Sequence, residues 1–377
     1  MRASSFSLFS FSGIPVRVHA SWFLLGALVM GSLATGWFPL EAPSSPPALN
    51  WLAGAVGAAG LFISIALHEL SHALVGRSQA IPVKTITMFL FGGVAQLEGE
   101  PGSPRAELLM AIAGPLASLV LAAVFFLLET AAITLGLPSL LRALLAYLAS
   151  INVVVAVFNM LPGYPLDGGR VLRAALWHYM KDIVRATRVA SGIGQLFGLF
   201  IIALGFTALL RGELVSAIWS AVVGLMLMGF ARSSYVQLVI RRELHGKPAA
   251  SLMDTHPDTV VPSARVSELM REYVNHEDHS VFPVVDESRT RLIGLVDPLQ
   301  ARRFPKDQWS AHAVSEIFQL GVGDHQIGPD ADAQLALERM SQSGYRELLV
   351  VEGGKLLGVL RQSAILRSIR LGGPARS

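Results

Sequence analysis

The sequence has no cysteine, and only 15% of its 377 residues are charged. A chain without cysteine forms neither disulfides nor thiolate metal sites, so histidine and carboxylate side chains remain as metal ligands. Soluble domains usually carry about 25% charged residues. The shortage of charge, together with 52% hydrophobic residues, argues against an ordinary soluble protein and predicts several membrane spans.

The apolar residues are concentrated before about residue 235, and the remainder has the mixed charge of a soluble domain. Apolar runs of the roughly 20 residues that a spanning helix needs lie at about 19–40, 51–75, 106–128, 143–162, 190–210 and 214–232. The predicted fold class is an α-helical polytopic membrane domain of about six transmembrane helices with a short membrane-associated β-hairpin, followed by a pair of α/β units. We place the domains at residues 1–240, 241–304 and 305–377.

The Lys and Arg residues mark alternate links between the spans. Arg2 and Arg17 precede the first span, Arg77 and Lys84 follow the second, and five basic residues follow the fourth between 170 and 188. Because cytoplasmic links are enriched in Lys and Arg, both termini and the C-terminal units are predicted on the cytoplasmic side of the plasma membrane. The basic residues are not interleaved with aromatic ones, so we expect contact with the lipid bilayer and no nucleic-acid partner.

The second apolar run contains His68-Glu69-Leu70-Ser71-His72 near its end. Ionisable side chains at the centre of a bilayer cost about 2.5–3.5 kcal/mol each on insertion scales, so they persist mostly where they are functional. In a helix His68 and His72 point to one face, which suits two imidazoles that bind one zinc ion, and Glu69 beside them suits a general base. The structural alternative is three polar groups satisfied within a helix bundle.

A helix break follows the fourth run, because two prolines and three glycines between Asn159 and Arg170 cannot continue a regular helix. Non-helical backbone at membrane depth is tolerated where it lines a polar cavity. Asp167 in this stretch is the obvious third zinc ligand, unless it is a turn aspartate. Asn159 is expected to hydrogen-bond the substrate backbone or the water at the metal, or else a neighbouring helix. Glu107, at the end of the third run, is interpreted as an ordinary interfacial charge.

Alternation of apolar and polar residues between 81 and 100 predicts a β-hairpin with Gly92 and Gly93 at its turn. The open edge of such a hairpin could hold an extended substrate by strand addition, and the alternative is an ordinary surface hairpin. A short edge strand is also predicted within residues 1–17. After residue 241 the order helix, strand, strand occurs twice, starting near Val266 and Ala333, which predicts two packed repeat units.

The chain resembles the site-2 proteases, which are zinc intramembrane metalloproteases of peptidase family M50, in the branch that carries a C-terminal pair of cystathionine-beta-synthase (CBS) domains. The motifs that carry the resemblance are His68 to His72, Phe91-Gly92-Gly93-Val94-Ala95, Ala113-Gly114-Pro115 and Asn159 to Gly169. The resemblance implies one Zn²⁺ per chain on His68, His72 and Asp167, with Glu69 as the base. It also implies that Asn159 and Pro165 shape the site of a transmembrane protein substrate.

The two C-terminal units depart from the usual nucleotide-binding pattern of CBS domains, which ends in Gly-hydrophobic-x-Thr/Ser-x-x-Asp. The first unit has Gly294 to Gln300 at this place and the second has Gly358 to Ala364, and neither has the hydroxyl and the acid in position. We therefore do not expect ordinary binding of adenosine nucleotides, and we expect a regulatory role or a homodimer formed through the pair. A CBS-gated ion transporter and a non-proteolytic pseudoprotease remain as alternative functions.

Overall fold

The computed structural model describes residues 5–11, 13–81, 83–89, 92–97, 99–275, 281–289 and 291–369. The chain divides into two compact units, Met1–Tyr235 and Val236–Ser377. The first unit contains most of the apolar helices and a four-stranded sheet, and the second contains two three-stranded sheets with their helices.

Six helices in the described residues are long and apolar enough to cross a membrane, which confirms the six predicted spans. The first begins as α1 (Ser21–Ser32), continues through a π-helical turn (Leu33–Trp37) and ends as α2 (Phe38–Glu41). The other five are α3 (Pro47–Ser78), α4 (Pro104–Thr134), α5 (Ser139–Asn159), α7 (Ile183–Leu210) and α8 (Leu214–Leu244). The helix α6 (Asp167–Met180) lies between α5 and α7 and is not one of the six.

Large apolar side chains cover the outer faces of the membrane-length helices. Leu116 and Leu127 of α4 are 57% and 65% exposed, and Val154 of α5 is 57% exposed. Soluble monomers rarely expose apolar surface on this scale. The outward faces therefore suit contact with lipid, in agreement with the composition.

The sheet of the first unit has the strand order β1-β2-β3-β4. Its strands are β1 (Ser5–Phe11), β2 (Ile14–His19), β3 (Val83–Phe89) and β4 (Gly92–Leu97), so β1 is an edge strand as predicted and the predicted hairpin is β3 with β4. Buried Ile86 and Met88 of this sheet share a core with Leu70 and Ala73 of α3. The packing places the sheet against the helix that carries the histidine pair.

The prediction of glycine at the hairpin turn is wrong. Gly92 and Gly93 are the first residues of β4 and pair with Phe89 and Met88, while Phe91 lies outside the described residues. Gly93 satisfies a packing requirement of the strand, described below, and not a turn.

The second unit contains the two predicted repeats. The first has α9 (Val266–Asn275), β5 (Phe282–Val285) and β6 (Leu292–Val296), and the second has α10 (Ala333–Ser343), β9 (Glu347–Glu352), β10 (Lys355–Arg361) and α11 (Gln362–Ser368). The sheet orders are β5-β6-β7 and β10-β9-β8, with β7 at Gln319–Leu320 and β8 at Gln326–Ile327. Strand β7 and the buried side chains of Val314 and Ile317 belong to the first repeat. The bounds 241–304 and 305–377 for the two repeats stay predictions.

Candidate metal centre

Three side chains predicted as metal ligands converge in the first unit. His68 Nε2 lies 3.1 Å from Asp167 Oδ2, and His72 Nε2 lies 3.2 Å from the same oxygen. The two Nε2 atoms are 3.2 Å apart. All three residues are buried, with 3%, 5% and 8% of their surface exposed. They are the one group of metal-ligating residues of this kind among the described residues.

The geometry of this triangle fits a zinc ion. Zinc in proteins is usually tetrahedral, with bonds of about 2.0–2.1 Å to nitrogen and about 2.0–2.2 Å to oxygen, so two of its ligand atoms lie about 3.3 Å apart. The observed edges of 3.1 and 3.2 Å are close to this value. Two imidazoles and one carboxylate also form a donor set typical of catalytic zinc, which leaves one position open.

Helix α4 orients both imidazoles. His72 Nδ1 donates a hydrogen bond to the Met110 carbonyl oxygen at 2.6 Å, which leaves Nε2 as the acceptor that faces the centre. His68 Nδ1 lies 2.9 Å from Ser118 Oγ. A partner on the far ring nitrogen fixes the orientation and tautomer of a ligating histidine. Neither Met110 nor Ser118 was identified from the sequence, and a backbone carbonyl gives no sequence signal at all.

Gly114 of α4 lies between these two partners and leaves room for the rings. A Cβ atom at this position would lie 2.2 Å from His72 Nε2 and 2.6 Å from His68 Nε2. The absence of a side chain therefore allows α4 to pass directly beside the predicted ligand atoms. The sequence resemblance included Ala113-Gly114-Pro115, and the structure supplies the steric reason for the glycine.

The predicted helix break brings Asp167 to the histidines. Helix α5 ends at Asn159, and α6 begins at Asp167 after a tight loop. A Cβ on Gly168 would lie 2.2 Å from the Met160 carbonyl oxygen, and one on Gly169 would lie 2.3 Å from the Gly163 carbonyl carbon. Both glycines are therefore required for the first turn of α6 to pack against its own loop.

Glu69 lies beside the metal triangle but is not part of it. The sheet approaches its side chain closely, because a Cβ on Gly93 would lie 2.3 Å from Glu69 Cγ and 2.8 Å from Glu69 Cδ. Gly93 thus occupies a position in β4 where no side chain fits. The arrangement places a carboxylate and the edge strand β4 next to each other, as catalysis on an extended peptide would require.

The structure does not bring Asn159 or Pro165 into the metal group. Asn159 is the last residue of α5 and is half-buried, and Pro165 is half-buried in the following loop. Their roles toward a substrate stay predictions. The alternative for Asn159 is a hydrogen bond from its side-chain amide to a neighbouring helix. Asn152 makes such a bond, because its Nδ2 donates to Ser64 Oγ at 3.0 Å. An asparagine within an apolar run is the sequence signal that points to Asn152.

The interpretation of Glu107 as an interfacial charge is wrong. Its side chain is completely buried in α4 and forms an ion pair with Arg173 of α6, which is 5% exposed. For a charged residue at the end of a hydrophobic run, the sequence alone does not show whether the side chain faces lipid headgroups or a buried partner.

Asp167→Ala should lower the zinc content of the purified protein from about one ion per chain to well below one, because two imidazoles alone hold zinc weakly. Metal analysis of protein in detergent measures this content. Asp330→Ala is the matched control, since Asp330 is exposed and lies in the second unit. Full zinc in the Asp167→Ala protein would show that the third ligand is another group.

Comparisons with known proteins find matching family models, relatives and solved structures. The model of peptidase family M50 matches residues 56–139 and 134–204, and the CBS domain model matches residues 249–302 and 325–371.

Rip3 of Mycobacterium tuberculosis, provisionally named a zinc metalloprotease, is 34% identical over 359 residues that cover 95% of this chain and 91% of Rip3. The zinc metalloprotease MJ0392 of Methanocaldococcus jannaschii is 27% identical over 372 residues, 97% of this chain and 96% of MJ0392. A solved site-2 protease from the same organism shares 27% identity and covers 61% of this chain and 94% of its own, with a TM-score of 0.42.

The apolar helices and the His-His-Asp centre define a membrane metalloprotease class. Within that class the chain belongs to peptidase family M50, the site-2 proteases, and carries a C-terminal pair of CBS domains. The predicted family is confirmed.

Proposed function

We propose that this protein is an intramembrane zinc endopeptidase that cleaves the transmembrane segments of membrane proteins near the cytoplasmic side of the plasma membrane. The observation that carries the proposal is the buried triangle of ligand atoms, 3.1 to 3.2 Å on each edge. The Glu69 carboxylate interacts electrostatically with His72 and Asp167 of this triangle. The site lies on helices long and apolar enough to cross a membrane. Family membership supports zinc, and we propose one ion per chain.

His68, His72 and Asp167 would hold the zinc ion, which when bound supplies a Lewis acid for the scissile carbonyl and lowers the pKa of water. Glu69 then acts as the general base that accepts a proton from the attacking water. The same carboxyl returns the proton to the leaving amine as the peptide bond breaks. The hydrogen bonds from His72 to the Met110 carbonyl and between His68 and Ser118 keep the two rings fixed during these transfers.

We propose that the substrate binds as an extended strand along β4. A helical substrate hides its carbonyls in backbone hydrogen bonds, so it must unwind before it is cleaved. Strand β4 is the last strand in the sheet order β1-β2-β3-β4, and Gly93 within it contacts Glu69. An unpaired strand edge supplies backbone hydrogen bonds to an extended peptide. Asn159, Pro165, Gly92 and Gly93 are the residues that we propose to contact this peptide.

The function is tested with purified protein reconstituted into liposomes together with a single-span substrate protein that has helix-breaking residues near its cytoplasmic end. We expect cleavage within the span, its loss on treatment with a zinc chelator, and its recovery on addition of Zn²⁺. A substrate with an uninterrupted polyleucine span is the control and should be cleaved more slowly. Cleavage that persists after complete removal of zinc would contradict the proposal.

For the CBS pair we propose a regulatory or dimerising role without ordinary nucleotide binding. In the second repeat Arg361 stands at the place of the usual hydroxyl residue and forms an ion pair with Asp254 at 3.3 Å. CBS domains that bind nucleotides usually have a hydroxyl at this place, which contacts the ribose. Here the place is occupied by a guanidinium that is paired with a carboxylate. The ion pair between Arg361 and Asp254 therefore supports the proposal that the second repeat does not bind adenosine nucleotides in the ordinary way.

A further inference from the structure

The ion pair between Glu107 of α4 and Arg173 of α6 is the most completely buried pair of opposite charges in the described part of the first unit. Glu107 is 0% exposed and Arg173 is 5% exposed. The Arg173 guanidinium also lies 5.1 Å from the centre of the Tyr164 ring and 3.8 Å from a carboxylate oxygen of Glu100. Removal of two charges from water costs several kcal/mol per ion, so such a pair is weak evidence for stability and points to another role.

Glu107 lies on the face of α4 that orients the metal ligands. This face presents residues spaced three or four apart, which are neighbours on one side of a helix. They are Glu107, Met110, Gly114 and Ser118. The last three contact or make room for the imidazoles of α3, whereas Glu107 contacts α6.

Arg173 links helix α6, which begins at Asp167, to α4 and to the loop before α6. It lies six residues after Asp167 in α6, and its guanidinium contacts Glu107 of α4 as well as the ring of Tyr164 in the loop before α6. Helix α6 has 14 residues and is not one of the six membrane-length helices. The ion pair is therefore placed to set the position of α6 against α4.

We propose that Glu107 and Arg173 are positioning residues that hold Asp167 at the distance from His68 and His72 needed to bind zinc. The inference rests on the proposed zinc function. Glu107 and Arg173 would thus support zinc binding without being zinc ligands. The same face of α4 then fixes all three ligands, the histidines through Met110 and Ser118 and the aspartate through Glu107.

The test measures the dissociation constant for Zn²⁺ by competition with a chromophoric chelator, using the full-length protein in detergent. Arg173→Gln and Glu107→Gln should each raise this constant about 10- to 100-fold, the usual effect of removing a group that supports a metal ligand. The visible absorption spectrum of the Co²⁺-substituted protein should change as well, because it reports the geometry of the ligands. Arg185→Gln is the matched control, since the Arg185 side chain is 69% exposed, and it should bind zinc as the wild type does.

A single substitution leaves one buried charge unpaired and can prevent folding. The double variant Glu107→Gln with Arg173→Gln removes both charges, so we expect it to fold and still to bind zinc more weakly than the wild type. Wild-type zinc affinity and an unchanged Co²⁺ spectrum in the folded double variant would overturn the inference, whatever its thermal stability. A wild-type protein that binds no zinc would instead overturn the proposed function itself.

Discussion

Glu69→Gln should reduce cleavage of a transmembrane substrate by about 10²- to 10⁴-fold, the usual contribution of a general acid–base group. The amide cannot accept a proton from water, but it has nearly the same shape as the carboxylate. Because Glu69 is not part of the His68, His72 and Asp167 group, the variant should keep its full zinc content. Cleavage in liposomes and metal analysis of the same preparation measure both results.

Glu129→Gln is the matched control for this change. Glu129 lies on the membrane-length helix α4, whereas Glu69 lies on α3. It is eleven residues beyond Ser118, which is about 16 Å along a helix. This control should retain wild-type activity and zinc. An active Glu69→Gln protein would contradict the assignment of Glu69 as the base.

The same variant separates the proposed protease from the two alternative functions. A pseudoprotease that only holds membrane proteins would be unaffected by Glu69→Gln. An ion transporter would show altered ion flux in liposomes that contain no protein substrate. An inactive protease that still binds zinc should instead retain its substrates, so the membrane proteins enriched with Glu69→Gln over the wild type identify candidates.

The meeting of His68, His72 and Asp167, the proposed ligands, could be predicted from the sequence because ionisable side chains are unusual in apolar segments. Two histidines four residues apart in an apolar helix have few structural explanations, and Asp167 lies in a break that no regular helix could continue. The six spans follow from length and hydrophobicity in the same way. In these cases one short stretch of sequence contained the whole signal.

The supporting parts of the centre could not be predicted, because their meaning depends on distant segments. The Met110 carbonyl acts through the backbone, and Gly93 and Gly114 act through the side chain that they lack. Glu107 has the same sequence context whether it faces lipid headgroups or Arg173. Such roles are defined only when α4 and β4 are packed against α3.

Gly114→Ala should abolish zinc binding while the fold is kept. The added methyl group would lie 2.2 Å from His72 Nε2 and 2.6 Å from both His68 Nε2 and His72 Cε1, far closer than atoms can approach. The rings cannot move away freely, because His72 is hydrogen-bonded to the Met110 carbonyl and His68 to Ser118 on the same helix. Either the rings leave these partners or α4 moves, and each change separates the ligand atoms.

Thermal unfolding and zinc analysis together distinguish this effect from general destabilisation. Alanine has a higher helix propensity than glycine by about 1 kcal/mol, so the apoprotein should lose little stability, although its zinc is lost. Gly192→Ala is the matched control, since Gly192 is in the membrane-length helix α7 and a Cβ there would meet nothing within 4 Å. A Gly114→Ala protein with one zinc per chain and normal cleavage would mean that α4 can move away without disturbing the centre. In that case α4 would not be the element that positions the histidines.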